Sequence, residues 1–522
     1  MLDLPELHGK VFQHLGRHDL TQCAQVNRQC HARTIPHIWR DLTCVNSYNA
    51  RRETFRRIVL EDYLQENGYE EGPRQPSALS KYGHLIRLLP GLRDLENTLQ
   101  SQAYPQQGNE PTAHDLILHL FKYSSKAQVK SLSYHPLVLE SDKMKSILAF
   151  ALPRLRSLDI RAYFKNTQSE FIEFKSVLDQ CSTTLESLDV NICVRRAVEA
   201  VNMEDEATEN ESICWTSLKS LTLRHDPDVL DIGPFLVWMW KRCGQVERLH
   251  VRMIDKSTPS LVQAMSVYMH NLEEITIGEM TYTDWGRNLH GKMKGDVVAA
   301  LLSGSRQGWR SVSVRSTAEL GRETMNVLAM HYSTLEVLHV DGSKDLPSCD
   351  LVQILRSCPH LHTLCYTNLT YGNSAVSSQV FIDLDPDTGL LKPWLCERSL
   401  RVLQVKLFGI PRPDLEGQST LLEAYPGRGR EIQSQVYDRI GRLTNLEALK
   451  LGEITRLYPH GCLEMSLESG LEKLSGLKSL EELSVVGLAT KIGDKEIQWM
   501  AENWPKLRVI YGVYGGGKDW RR

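Results

Sequence analysis

The sequence LEVLHV at residues 335–340 decides the fold, because the same pattern recurs at regular intervals along the chain. LHTLCY follows from Leu361, and WRSVSV precedes it from Trp309, at equal spacings on the two sides. Each block has apolar residues at its first, fourth and sixth positions. Alternation over the last three positions is typical of a β-strand with one buried face.

Thirteen such blocks occur between Val129 and the end of the chain. The blocks begin at Val129, Leu155, Leu185, Leu218, Val246, Leu272, Trp309, Leu335, Leu361, Leu400, Leu446, Leu480 and Leu507. Their tightest spacing lies within the range of roughly 20–29 residues that is typical of leucine-rich repeats. Amphipathic stretches between blocks, such as Ser260–Met269 and Cys349–Cys358, predict helices. We therefore predict an α/β leucine-rich-repeat solenoid, a horseshoe with parallel strands inside and helices outside.

A different pattern occupies residues 4–42, LPELHGKVFQHLGRHDLTQCAQVNRQCHARTIPHIWRDL. Leu4, Leu7 and Val11 share one helical face, Asp19 has the position of an N-cap, and Pro36 suits the first turn of a third helix. Three short helices bury too little apolar surface to fold alone, so this stretch implies a partner.

This stretch resembles an F-box in Leu4-Pro5-Glu6-Leu7, Asp19-Leu20, Val26-Asn27-Arg28 and the spacing of Pro36, Trp39 and Leu42. The resemblance implies docking on a Skp-type adaptor and, through it, on a cullin. The residues expected to contact the adaptor are Leu4, Pro5, Leu7, Val11, Phe12, Leu20 and Trp39. The alternative interpretation is an ordinary N-terminal helical cap on the following domain.

Later segments, including Trp394-Leu395-Cys396 and Asn503-Trp504-Pro505, resemble fungal F-box proteins with leucine-rich repeats. The resemblance implies a non-catalytic substrate-recognition subunit of a Skp-cullin-F-box ubiquitin ligase, which directs ubiquitin-dependent degradation of a protein substrate. A non-degradative interaction scaffold is the alternative. The predicted domains are an F-box at 1–45, a connecting helical and loop segment at 46–125, and the repeat domain at 126–522.

Composition narrows the functional classes. A net charge of −3 favours neither a nucleic-acid partner nor an anionic membrane surface. Asp3 and Glu6 stand where a signal peptide has basic residues, and no apolar run is longer than Phe235–Trp240, which is far too short for a membrane span. Twelve cysteines without framework spacing suit reduced thiols, so we expect a cytoplasmic and/or nuclear protein.

No complete catalytic or cofactor-binding motif occurs, so we expect no enzymatic activity and no cofactor. Gly512–Lys518 matches G-x-x-x-x-G-K, but Asp519 follows where a phosphate-binding loop needs Ser or Thr for Mg²⁺.

Two groups of potential metal ligands are also interpreted as structural. Cys358, His360, His362 and Cys365 straddle a repeat strand, which cannot close a tetrahedral zinc cage. Asp383, Asp385 and Asp387 are interrupted by Pro386 and lack the bidentate glutamate of a calcium loop.

Solvent-facing strand positions remain as candidate binding residues. We predict that Arg161, Arg224, His250, Arg252 and Arg315 contact the target, since guanidinium groups pair with carboxylate or phosphate. Arg224 and Arg252 lie on consecutive repeats and are expected to grip one anion. The alternative is that exposed strand positions simply tolerate arginine.

Irregular segments complete the prediction. Asn202–Ser212, Tyr371–Arg398 and Gly409–Glu431 interrupt the repeats, and such insertions either frame a binding face or reflect tolerated surface variation. At the C-terminal end, Trp504, Tyr511 and Tyr514 are predicted to cover the last layer of the core.

Overall fold

The computed structural model describes parts of the repeat region. The described ranges are 131–134, 155–164, 175–194 with gaps, 215–225, 238–252, 258–278, 293–315, 320–341, 346–367, 376–410, 429–451, 463–488 without 487, and 492–512. The predicted F-box and the domain boundaries at 45 and 125 lie outside these ranges and remain predictions. The chain forms two compact units, Met1–Gln245 and Val246–Arg522.

In the first unit, four strands form a parallel sheet in chain order. They are β1 Ser131–Tyr134, β2 Ser157–Phe164, β3 Ser187–Val194 and β4 Ser220–His225. Their register aligns the third residue of every repeat, so that Ser131, Ser157, Ser187 and Ser220 lie side by side. Because equivalent positions align, the leucines of neighbouring repeats stack into one core.

The second unit contains nine further parallel strands, again with equivalent repeat positions in register. They are β5 Arg248–Arg252, β6 Glu274–Ile277, β7 Ser311–Val314, β8 Val337–Asp341, β9 Thr363–Thr367, β11 Val402–Gln404, β13 Ala448–Lys450, β14 Glu482–Ser484 and β15 Val509–Tyr511. Two short strands, β10 Val376–Ser377 and β12 Leu407–Phe408, pair separately. All thirteen predicted strands are thereby confirmed.

Helices connect the strands of the second unit. They are α1 Thr258–Val267, α2 Gly295–Leu302, α3 Arg322–Ala329, α4 Ser348–Ser357, α5 Ser378–Ile382, α6 Gly429–Gly441 and α7 Asp494–Asn503, with a 3-10 helix at Leu471–Gly476. The two helices predicted from amphipathic patterns are α1 and α4. The chain is therefore an α/β leucine-rich-repeat solenoid.

The core consists of the three apolar positions of each repeat. In the block from Leu335, Leu335 and Leu338 are fully buried and Val340 is 2% exposed. Trp309 replaces the first leucine in its block and is also fully buried, with its Nε1 donating a hydrogen bond of 2.6 Å to the Leu302 carbonyl. Each buried aliphatic side chain contributes about 1.5–3 kcal/mol.

Residues near the end of the last strand correct the predicted cap. Trp504 is 1% exposed, donates from Nε1 to the Leu474 carbonyl at 2.9 Å, and packs edge-on against Trp499. Tyr511, however, is 49% exposed and does not cover the core. Trp504 therefore lies in the core, as predicted, whereas Tyr511 does not, and Tyr514 lies outside the described residues.

None of the helices within the described ranges has a stretch long and apolar enough to pass through a bilayer.

Candidate protein-interaction surface

The alternation of each strand defines which side chains are available to a partner. In β8, Leu338 and Val340 point into the core, whereas Val337 and His339 lie on the opposite, half-exposed face. The same alternation holds in β7, where Val312 and Val314 are buried. The third and fifth positions of the repeats therefore face away from the leucine core and form the accessible face of the sheet, except where Cys365 and Ala448 are each only 8% exposed.

A row of charged residues runs beside this face, at the second position of the repeats; we call it the edge row. Its backbone is regular, because each carbonyl accepts two N–H groups from the next repeat. The Glu336 carbonyl, for example, accepts from His362 N at 2.8 Å and from Thr363 N at 3.1 Å. In the second unit the edge row contains Glu247, Glu273, Arg310, Glu336, His362, Arg401, Glu447, Glu481 and Arg508.

Arg310 joins three strands of the edge row. Its guanidinium donates to Glu336 at 2.9 and 3.0 Å and to Glu273 at 3.1 Å. The hydrogen bonds from Arg310 lower the pKa of Glu336, and the two carboxylates raise the pKa of Arg310. The His362 Nε2 lies 3.6 Å from Glu336 Oε2, which also accepts a hydrogen bond from Arg310.

Oppositely charged residues of the edge row also lie next to each other in later repeats. Arg401 lies 3.4 Å from Glu447, and Arg508 lies 3.6 Å from Glu481. Such exposed pairs contribute little to stability, at most about 1 kcal/mol each. These ion pairs matter more for binding than for stability, because the paired charges neutralise one another along this side of the sheet.

The predicted target-binding arginines lie on the strands as expected, but not all their side chains are described. Arg161 on β2 and Arg224 on β4 occupy equivalent positions, with Asn191 of β3 between them. Arg252 ends β5 in the second unit. The side chains of all three arginines lie outside the described part, so a joint grip of Arg224 and Arg252 on one anion remains a prediction.

The other two predicted contacts are described. Arg315 follows β7, is half-buried, and its Nε is shielded from solvent without a hydrogen-bond partner among the described residues. His250 is half-buried on β5, with Nε2 at 3.4 Å from the Gly278 carbonyl. The seven predicted adaptor-binding residues, Leu4, Pro5, Leu7, Val11, Phe12, Leu20 and Trp39, lie outside the described residues.

The Cys and His residues around β9 point to different places. Cys358 is fully buried, and burial raises the pKa of its thiol to about 12. His360 is exposed, while His362 lies beside Glu336 in the edge row. Throughout the ranges that the structure describes, no three His, Cys, Asp or Glu side chains converge as metal ligands do.

Two acidic residues of the insertion after β9, Asp383 and Asp385, are engaged within the protein. Asp383 has φ +58° and is 5% exposed; its carboxylate accepts hydrogen bonds from Arg356 and from Trp394 Nε1. Asp385 accepts the backbone N–H groups of Thr388 and Asp387, both at 3.0 Å, which lowers its pKa. These contacts fold residues 376–400 into an ordered element.

Sequence reasoning missed the residue that holds this insertion, Arg439 of α6. Its side chain is fully buried and stacks over the Trp394 ring, 4.4 Å from the centroid. Its donors reach the Ile382 carbonyl at 2.7 Å, the Lys392 carbonyl at 2.7 Å and the Glu397 carboxylate at 3.1 Å. Burial, the largest effect, lowers the pKa of Arg439 to about 10, so that it stays charged at neutral pH. The sequence did contain a signal of this burial, because Arg439 follows the buried Val436 by three residues and so lies within the apolar face of α6.

Comparison with solved structures gives distant likenesses. The yeast Rad7–Elc1 complex aligns over 58% of this chain and 79% of that chain, at 15% identity and a TM-score of 0.32. A leucine-rich-repeat protein of Leptospira interrogans aligns over 75% and 91%, at 14% identity and a TM-score of 0.23. The Drosophila Toll–Spatzle complex aligns over 77% and 57%, at 11% identity and a TM-score of 0.29. At such TM-scores these alignments do not decide function.

No protein-family model matches the chain, and no curated protein matches it in sequence. The F-box and the fungal origin therefore rest on the residues quoted above, and both remain predictions.

Proposed function

We propose that the chain is the target-recognition subunit of a Skp-cullin-F-box ubiquitin ligase and carries no catalytic residue of its own. The observation that carries the proposal is the order of the two parts. An adaptor-binding pattern at residues 4–42 precedes an array of repeats with an accessible sheet face. The first part attaches the chain to the adaptor and cullin, and the second binds the target protein.

In this mechanism the receptor acts by proximity. Tethering the target beside a charged ubiquitin-conjugating enzyme replaces a bimolecular encounter by one with a high effective concentration. Target lysines then react without any chemistry on this chain. The predicted residues Arg161, Arg224, His250, Arg252 and Arg315 are candidate target contacts on the repeats.

Two buried cysteines of the second unit are unsuited to nucleophilic catalysis. Burial raises the pKa of both Cys358 and Cys396 to about 12, so neither provides a thiolate nucleophile near neutral pH. Several charged groups of the edge row, among them Arg310, Glu336, Arg401 and Glu447, form ion pairs with one another.

The function is tested by measuring the half-life of proteins captured by the chain. The double variant Leu7→Ala/Phe12→Ala truncates two predicted adaptor contacts, and Met330→Ala truncates an apolar residue that is 75% exposed outside the insertions as the matched control. The double variant is expected to keep capturing targets but to lengthen their half-life, whereas the control leaves turnover unchanged. Unchanged turnover in the double variant, with adaptor binding lost, favours the scaffold alternative.

A further inference from the structure

A shielded guanidinium nitrogen on the accessible face of the second unit lacks an acceptor. Arg315 lies two residues after the half-exposed Ser313 and therefore on the same face of the sheet. Its Nε is screened from solvent, yet no described residue accepts a hydrogen bond from it. Arg356 and Arg439, the other buried or half-buried arginines described in this unit, each form an ion pair with a carboxylate. Since a shielded donor without an acceptor costs free energy, this position favours the binding of an anion.

The other charges described on this face are engaged within the chain. His339 and Lys406 each interact with another residue of the protein. Charged residues farther along the face occur as neighbours of opposite sign. They are Arg248 with Glu274, in register on β5 and β6, and Lys450 with Glu482, which lie 2.8 Å apart. Among the described side chains of the face, the charge of Arg315 is therefore the one that a partner can satisfy.

An open space lies beside Arg315 on the neighbouring strand. The parallel register of β5, β6 and β7 makes Arg252, Gly278 and Arg315 equivalent positions of three consecutive repeats. Gly278 is buried and has φ +90°, a backbone conformation that favours glycine, and it places no side chain over the sheet. Because the backbones of Arg252 and Arg315 are two strand spacings apart, this space is about 10 Å wide. We call the space over Gly278, bordered by Arg315, the glycine notch.

Two hydroxyl groups border the glycine notch. Thr276 and Ser313 are in register on β6 and β7, and both are half-exposed. They precede Gly278 and Arg315 by two residues, so their side chains lie on the same face of the sheet as Arg315. Each hydroxyl can donate one hydrogen bond, and a guanidinium can donate two to a single carboxylate. The notch therefore offers donors to both oxygens of a carboxylate.

We propose that the glycine notch binds the side-chain carboxylate of an Asp or Glu in an extended segment of a partner protein. The inference rests on the proposed function in that this partner is the ubiquitination target. Formal charge selects the carboxylate: with the histidines neutral, the equivalent positions of β5 to β8 hold Arg252, Gly278, Arg315 and Asp341, a net charge of one positive unit. One carboxylate neutralises this charge. A phosphate group, with a charge of about −1.5 to −2, leaves an excess of negative charge on strands that also carry Asp341.

The proposed site differs from the grip on one anion that the sequence predicts for Arg224 and Arg252. Arg224 belongs to the first unit, whereas Arg252, Gly278 and Arg315 all belong to the second. The central cation of the notch is Arg315, whose side chain the structure describes and leaves without an acceptor. Arg252 lies on the far side of Gly278, so its charge contributes to attraction of the anion rather than to the contact itself.

The test uses the purified full chain and three sets of fluorescent peptides, each about twelve residues long and so about 40 Å when extended. The sets share randomised flanks of Ala, Val, Ser, Thr and Gln and differ only at the central residue, which is Glu, Gln or phosphoserine. Fluorescence anisotropy measures binding at low salt and at about 0.5 M salt. We expect the Glu set to bind, the Gln set to bind about tenfold or more weakly, and the phosphoserine set to bind no more tightly than the Glu set. Binding of the Glu set is expected to weaken at high salt, because charges near the surface are screened.

Arg315→Met removes the guanidinium but keeps an unbranched side chain, and is expected to weaken binding of the Glu set about tenfold or more. Arg306→Met is the matched control, because it makes the same change at an exposed arginine before the start of β7, whereas Arg315 follows its end. The control is expected to bind like the parent. Arg315→Lys keeps the charge but loses the planar pair of donors, so we expect binding about threefold weaker than that of the parent. Thermal unfolding of each variant shows whether the fold is retained.

Asp341→Asn tests the selection by charge. The substitution raises the net charge at the ends of β5 to β8 by one unit. It is expected to improve binding of the phosphoserine set more than binding of the Glu set, because the more highly charged anion gains more from the loss of a negative neighbour. An equal change for both sets contradicts the charge argument.

Three results overturn the inference: no preference for the Glu set over the Gln set, tighter binding of the phosphoserine set than of the Glu set by the parent, or parent-like affinity of Arg315→Met. Adaptor binding is measured separately with the same preparations. A chain that binds the Glu set through the notch but forms no complex with the adaptor supports the notch as a binding site and refutes the ubiquitin-ligase role. A chain that binds the adaptor but not the Glu set refutes the notch and leaves the ligase role intact.

Discussion

Replacing Arg439 by Met tests whether one buried side chain holds the insertion of residues 376–400 on the repeat array. The substitution keeps an unbranched apolar stem but removes all the donors. The Ile382 and Lys392 carbonyls, each 2.7 Å from a guanidinium nitrogen, lose these hydrogen bonds, and Glu397 loses an ion pair of 3.1 Å.

The expected cost follows from these contacts. A buried polar group left without a partner costs about 1–3 kcal/mol, and removing one member of a buried ion pair costs about 3–5 kcal/mol. Glu397 keeps some contact with solvent and with Arg442. We therefore expect the free energy of unfolding to fall by about 3–5 kcal/mol, which is less than the sum of the two costs. Loss of the ring contact with Trp394 also changes the near-ultraviolet circular dichroism.

Urea unfolding of the full chain measures the loss, and hydrogen exchange with mass spectrometry localises it. Peptides covering residues 381–397 are expected to exchange faster in Arg439→Met than in the parent. Arg442→Met is the matched control, because this neighbouring arginine is 41% exposed, donates to the Leu391 carbonyl at 3.2 Å and lies 3.9 Å from Glu397. Equal, small losses in both variants, with unchanged exchange in the insertion, refute the reasoning.

Two further predictions concern other contacts of the second unit. Arg310 lowers the pKa of Glu336, so the ionised carboxylate stabilises the fold above the unfolded-state pKa of about 4.3, and this stabilisation disappears as the pH falls through the lower folded-state value. Glu336→Gln is thus expected to be less stable than the parent in thermal unfolding at pH 7, by less than about 1 kcal/mol, and equally stable at pH 3. A difference in stability that grows as the pH falls contradicts this prediction. Trp504→Ala is expected to destabilise the chain by about 3–5 kcal/mol in urea unfolding, whereas Tyr511→Ala at a 49% exposed site costs little. If Tyr511→Ala instead causes the larger loss of stability, Tyr511 covers the core as predicted from the sequence.

The sequence predicted the strands because their signal is local and repeated. The block from Leu446, LEALKL, contains β13, and the block from Leu507 contains β15, although the blocks in this part of the chain are less evenly spaced. Buried leucines at fixed positions impose one register on every parallel neighbour. For the same reason, the accessible strand positions could be read directly from the pattern.

Contacts between repeats were harder to predict, because they join residues far apart in sequence. Arg439 reaches Ile382, 57 positions away, across an irregular insertion whose path no periodic pattern defines. Arg310 pairs with Glu273 and Glu336, 37 and 26 positions away, and such charges look like independent surface residues in the sequence. Tyr511 was predicted to cover the last layer of the core together with Trp504, but only Trp504 is buried.

The central claim is that residues 4–42 attach this repeat protein to a Skp-type adaptor. Isothermal titration of the purified full chain with the purified adaptor measures it directly. We predict a one-to-one complex with a dissociation constant of about 1 µM or below, which Leu7→Ala/Phe12→Ala weakens by several kcal/mol, on the order of a thousandfold, while Met330→Ala binds like the parent. Absence of a complex at about 0.1 mM protein, or undiminished binding by the double variant, contradicts the account.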